Sequence, residues 1–171
     1  ERELALGNIL VRNMLEAGFK GKLFAVNPKY ESVLGVPCYK SVEDIPQRLD
    51  LAVIATKADR VPAIVDACGR AGTKSVIVLP SGFSDSGPRG RMLEKTTYDH
   101  ARRHRIRLLG PNCLGVLRPE LGLNASFADG GAIKGSIGLI SQSGALCSAI
   151  LDWARPNHVG FSSVVSLGTS V

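Results

Sequence analysis

A helical stripe opens the chain. Leu4, Leu6, Ile9, Leu10, Asn13, Met14 and Ala17 recur at three- and four-residue steps, and Gly18 stands where a helix would stop. Residues 22–27 (KLFAVN) then form a short apolar run halted by Pro28, the pattern of a buried strand. The alternation continues with a short helix over 41–47, a strand over 49–56 (LDLAVIAT) and a helix over 59–71 closed by Gly72. A strand over 74–79, a long helix over 88–104 and a strand over 106–109 follow. Uninterrupted apolar strands separated by helices imply parallel strands covered on both faces, a doubly wound α/β sheet. Such a sheet normally begins with a strand. A helix in first place therefore predicts that the first strand, and the glycine-rich turn behind it, are missing from this sequence.

After Gly110 the texture changes. Pro111, Gly115, Pro119, Gly122, Gly130, Gly131 and Gly135 break the periodicity, and residues 116–134 read as a linker or irregular hairpin. A strand over 136–141 (SIGLIS), a helix over 144–154 and a strand over 161–167 then begin a second α/β unit. The expected organisation is a first domain over 1–115, the connection over 116–134, and a truncated second domain over 135–171.

Composition narrows the class. With 44% hydrophobic, 21% charged and 5% aromatic residues and a mean hydropathy of +0.11, the chain is ordinary globular protein and neither disordered, collagenous nor coiled coil. The formal net charge of +6 suits a phosphate-bearing partner, but stacking aromatics are scarce and nucleic acid is not expected. The densest basic run, Arg102-Arg103-His104-Arg105-Ile106-Arg107, closes a helix, where cations complement the carbonyl end of the dipole. Cys38, Cys68, Cys113 and Cys147 lie 30, 45 and 34 positions apart, too far for a zinc or redox motif, and read as reduced thiols. Without a membrane-length apolar run or a signal peptide, a cytoplasmic protein with no membrane partner is expected.

In open parallel sheets ligands gather beyond the carboxyl ends of the strands. The residues there are Asn27-Pro28-Lys29, Ala55-Thr56-Lys57, Pro80-Ser81-Gly82-Phe83 and Gly110-Pro111-Asn112-Cys113. A dinucleotide oxidoreductase wants an acid at the second strand end, and this chain offers Lys29. A cation suits a ribose carrying a phosphate, as in NADP or coenzyme A, although a solvated loop lysine would look the same. Pro80-Ser81-Gly82 lacks one backbone donor and lets a ligand approach the main chain, yet it is also ordinary turn chemistry. Ser141-Gln142-Ser143-Gly144 brings two hydroxyls and a glycine to a helix start, where free amides favour an anion and Ser143 suits an N-cap. Ser143 is not a hydrolase nucleophile, because Ser141 and Ala145 occupy the places where that elbow needs glycine. Cys113 has no identifiable base and reads as a site-lining thiol beside Asn112. His100 and His104 share a helix face, but Arg102, Arg103 and Arg105 would oppose a metal ion there.

Gly110-Pro111-Asn112-Cys113-Leu114-Gly115, followed by Gly138-Leu139-Ile140-Ser141-Gln142-Ser143-Gly144-Ala145-Leu146, resembles the NDP-forming acyl-CoA synthetases. That superfamily includes the succinyl-CoA synthetase alpha subunit and ADP-forming acetyl-CoA synthetase, and the likeness runs over essentially the whole chain. The resemblance implies a Rossmann-like CoA-binding domain followed by the start of a flavodoxin-like domain. It implies coenzyme A or acyl-CoA held around Asn27, Pro28, Lys29, Ala55, Thr56, Lys57, Pro80, Ser81 and Gly82. Asn112, Cys113, Ser141, Gln142, Ser143 and Gly144 would line a phosphate or active site. No catalytic residue and no metal site is expected within the fragment.

The function implied is ligation of a small carboxylic acid to CoA as ATP becomes ADP, through an acyl phosphate and a phosphohistidine. That histidine is expected outside this segment, since His100, His104 and His158 do not match its setting. ATP, ADP and Mg would be needed only in the full-length protein, which would supply an ATP-grasp domain or subunit, and the fragment alone would be inactive. A second reading is an acyl-CoA-sensing module fused to a GNAT-type lysine acetyltransferase, which residues 149–154 (AILDWA) resemble. An NADP-dependent oxidoreductase is the third, and it leaves everything after Gly110 unexplained.

Overall fold

The computed structural model describes residues 5–169. Leu4 of the predicted first helix and the outermost residues of the 1–115 and 135–171 segments lie outside the described residues. Along the chain run α1 (Leu6–Glu16), β1 (Ala25–Val26), β2 (Ser32–Val33), β3 (Val36–Tyr39), β4 (Leu51–Ile54), α2 (Val61–Arg70), β5 (Ser75–Val78), α3 (Pro88–Arg103) and β6 (Arg107–Leu109). They continue with β7 (Gly115–Arg118), β8 (Leu123–Ser126), β9 (Lys134–Ser141), α4 (Gly144–Ala154) and β10 (Phe161–Ser166). The described residues divide into one unit over Leu23–Asn112 with Thr169, and another formed by residues 5–22 with Cys113–Gly168.

In the first unit β4, β5 and β6 form a parallel sheet in that order, with Leu51 opposite Ser75 and Ser75 opposite Arg107. β5 is central and correspondingly the most buried, with Val76, Ile77 and Val78 all enclosed. The helices cover it with apolar stripes, Val61, Val65 and Cys68 on α2 and Gly90, Thr97 and Ala101 on α3. Val42, Ile45, Ile54, Phe83 and Ile106 complete this core. Gly72 closes α2 in a left-handed turn, its amide bonded to Gly69 O and that of Thr73 to Cys68 O. Arg105 takes the same left-handed position after α3, with φ 55°, where the sequence offers no glycine.

Two expectations for this unit need correction. The run over 22–27 is not a buried strand of the main sheet. Only Ala25–Val26 is extended, Val26 is 48% exposed, and β1 pairs in parallel with β3 of a separate small sheet ordered β1-β3-β2. β2 and β3 had no sequence signal, because Pro37 interrupts the pattern and the turn between them uses Leu34 and Gly35, both at positive φ. The short helix over 41–47 narrows to a 3-10 turn, Val42–Asp44, held by a capping box between Ser41 and Asp44.

The second unit has a four-stranded sheet ordered β8-β7-β10-β9. Residues 116–134, read as linker or irregular hairpin, contain the antiparallel β7–β8 pair joined by a 3-10 turn at Pro119–Leu121. β10 runs parallel to β9 through the α4 crossover and antiparallel to β7. Leu114, Leu117, Cys147, Leu151, Phe161 and Val164 form this unit's core. α1 belongs to it as well. Buried Asn13 donates to Ser126 O at 2.8 Å and Ala128 O at 2.9 Å, tying the helix to the end of β8. No helix among the described residues is long and apolar enough to cross a membrane.

Candidate functional site

The strand ends of the first unit come together through their backbones. β4 and β5 are in register, so Ala55-Thr56-Lys57 and Pro80-Ser81-Gly82 leave the sheet side by side, and Leu79 N donates to Ile54 O at 3.1 Å. Beside them the Gly110–Pro111 peptide is cis, and Asn112 N donates to Pro80 O at 3.0 Å. Gly82, at φ 99°, brings its Cα so close to Ala58 that an added Cβ would stand 3.2 Å from the Ala58 Cβ. The positive φ disfavours a side chain there, and the contact with Ala58 would be tight. Asn27-Pro28-Lys29 stays with the small sheet, where Asn27 N donates to Tyr39 O of β3 at 2.9 Å and Lys29 N to Asn27 Oδ1 at 3.0 Å. Lys29 and Lys57 are exposed and have no ion-pair partner among the described residues. Available cations suit a phosphate-bearing ligand.

Residues that sequence reasoning passed over hold this turn in place. Asp85 accepts from Gly82 N at 3.3 Å and from Phe83 N at 2.8 Å, and Glu94 on α3 accepts from Ser84 N at 2.9 Å. The Phe83 side chain is fully buried beneath, and its carbonyl seats directly against Gly90 of α3. Tyr98 donates its hydroxyl to Gly110 O at 3.0 Å. One signal was readable: Glu94 is an acid within the stripe 90, 94, 97 and 101 that α3 buries. Asp85 looked like turn composition and nothing more.

His100 Nδ1 and His104 Nε2 both bond Asp66 Oδ1, at 3.0 and 2.8 Å, and Arg70 pairs with the other oxygen of Asp66. The two histidines thus join α3 to α2 at a carboxylate that the sequence did not single out.

Asn112 is exposed at φ 56° and closes the first unit. Cys113, Ser141, Gln142, Ser143 and Gly144 belong to the second. Cys113 is 2% exposed, and burial pushes its thiol up to about 11. It is no nucleophile at neutral pH. Leu114 N donates to Ser166 Oγ at 3.0 Å, and the Gly144 Cα lies against Leu114, so the chain after Cys113 meets the start of α4. Ser143 caps that helix as expected, accepting from Leu146 N at 3.1 Å, while Ser141 Oγ accepts from Ser143 N at 3.1 Å. The cap leaves the first amides of α4, at Gly144 and Ala145, directed out of the helix end.

Comparison with protein families matches residues 2–119 to the CoA binding domain and residues 134–171 to the succinyl-CoA ligase like flavodoxin domain. Acetate–CoA ligase (ADP-forming) I of Archaeoglobus fulgidus is 44% identical over 167 residues, covering 98% of this chain and 24% of that protein. Subunit alpha of acetate–CoA ligase (ADP-forming) I from Pyrococcus furiosus is 38% identical over 167 residues, covering 95% of this chain and 36% of the subunit. Among solved structures, dinucleotide forming acetyl-coenzyme A synthetase 1 of Ca. Korarchaeum cryptofilum, in complex with phosphate and ADP, superposes with a TM-score of 0.93. It is 38% identical, with 98% of this chain and 36% of that chain covered. The chain therefore spans about a quarter to a third of the length of these three proteins.

Proposed function

The chain belongs to the CoA binding domain family through residues 2–119, and on that premise we propose that it is the coenzyme A-holding part of an ADP-forming acid–CoA ligase. The observation that carries this reading is the convergence of three strand ends, at 55–57, 80–82 and 110–112, joined by Leu79 N to Ile54 O and Asn112 N to Pro80 O. Lys57 with Ala55 and Thr56, and Lys29 with Asn27 and Pro28, meet the charged phosphates of CoA as point-charge partners. Pro80, Ser81 and Gly82 border the uncharged pantetheine arm, where glycine admits close approach to the main chain. In the second unit Ser141, Gln142, Ser143 and Gly144, near the chain that follows Asn112 and Cys113, offer helix-start amides to the phosphoryl group of the phosphohistidine.

An ATP-grasp domain or partner subunit supplies ATP and Mg binding, and the phosphohistidine lies in the flavodoxin-like domain outside this segment. Acetate is the first acid to test, because the relatives are named for it. The overall reaction balances as acid, CoA and ATP giving acyl-CoA, ADP and phosphate.

The test is calorimetry of the full-length protein with CoA and with NADPH, beside an assay of acetate- and CoA-dependent ADP release. CoA should bind more tightly than NADPH. Lys29→Ala with Lys57→Ala should weaken CoA binding by about tenfold or more. Tighter NADPH binding, or lysine acetyltransferase activity without ADP release, would overturn the reading.

A further inference from the structure

We propose that the unit built from α1 and residues 113–168 carries a second small-molecule site, specific for a neutral ligand with a carboxamide or lactam edge. A cavity of about 300 Å³ lies between the last turn of α1, the β7–β8 hairpin and the loop before β9. That volume is at the lower end of small-molecule sites. Two carboxamides in its wall, Asn13 at 8% and Asn124 at 5% exposure, are each left with one half unused.

The bonds they make fix which half. Asn13 donates through Nδ2 to Ser126 O and Ala128 O, so its Oδ1 is the atom without a partner among the described residues. Asn124 accepts the Ser126 hydroxyl at Oδ1, at 2.6 Å, and Ser126 Oγ is itself held by Ala128 N at 3.2 Å. Its amino group therefore donates to nothing among the described residues. Both side chains are more than nine-tenths buried, yet this acceptor and this donor stay open to the same cavity. A ligand that offers C=O to Asn124 and N–H to Asn13 satisfies the two together.

The surroundings exclude an anion and admit a ring. Glu16 places a carboxylate in the last turn of α1, against the helix dipole, and it has no ion-pair partner among the described residues. Lys134, across the cavity, is neutralised by Glu120 at 2.5 Å. Leu117 gives an apolar wall. Gly131, at φ 68°, keeps the approach to Asn124 open, since a Cβ there would stand 3.3 Å from its Nδ2.

The experiment is saturation-transfer NMR on the full-length protein with benzamide as probe, against benzoate and N,N-dimethylbenzamide. Benzamide should receive saturation, and both controls should bind about fivefold more weakly or less. Asn124→Asp keeps an oxygen for Ser126 but removes the donor, and should weaken benzamide about tenfold. Glu16→Gln should leave benzamide binding intact and raise benzoate binding several-fold. The signal should persist in saturating CoA, which separates this site from the strand-end site. Equal binding of the dimethyl analogue, an unchanged affinity in Asn124→Asp, displacement by CoA, or no saturation of benzamide would each overturn the proposal.

Discussion

Asp66 is held below the usual carboxylate range chiefly because His104 donates to it. Desolvation opposes this, and His100 and then the charge of Arg70 reinforce it. Glu43, bonded to the same Arg70 at 2.9 Å, is lowered as well. A carboxyl whose folded pKa lies under its unfolded value of about 3.9 adds stability that is complete above that value. That stability disappears as pH falls through the folded pKa. The urea midpoint of the wild-type chain should therefore drop more steeply between about pH 4 and pH 2 than that of Asp66→Asn. Parallel profiles would show that the histidine clamp adds nothing to folding.

At the scale of elements, Gly90 decides how α3 meets the turn after β5. A Cβ at this position would overlap the Phe83 carbonyl, which is backbone and cannot swing aside. Gly90→Ala should thus cost about 2 kcal/mol or more despite the better helix propensity of alanine, and should weaken CoA binding by disturbing residues 80–83. Thermal melting and calorimetry check both effects, and a stabilised variant would refute the contact. α1, α2 and α4 were legible because their caps were. Gly18 and Gly72 both stand at left-handed ends, and 144–154 emerged with the predicted bounds. β2 and β3 were not legible, because Leu34-Gly35 is a poor advertisement for a tight hairpin and Pro37 lies inside a strand, whereas β1 was legible as a strand but not as a member of the small sheet. Of the site, the strand ends were visible as loops after apolar runs. The carboxylates that brace them act on backbone amides two to ten residues away, a relation that composition does not display.

Across the whole molecule the charge is +6, and CoA is a polyanion. Its affinity should fall roughly threefold to tenfold as salt rises from about 0.05 to 0.5 M, while benzamide binding should barely change. Calorimetry at matched salt concentrations reads both, and a flat CoA profile would remove the lysines from the account. The basic character also bears on how the turn after β5 works. Asp85 already sits on the amides of Gly82 and Phe83. A phosphate arriving there would compete with a tethered anion whose local concentration no dissolved nucleotide can match. The protein carries its own resident counter-ion at that bend, so an incoming cofactor is oriented by rejection as much as by attraction, its phosphorylated end steered toward the lysine tips and its neutral arm left to cross the turn.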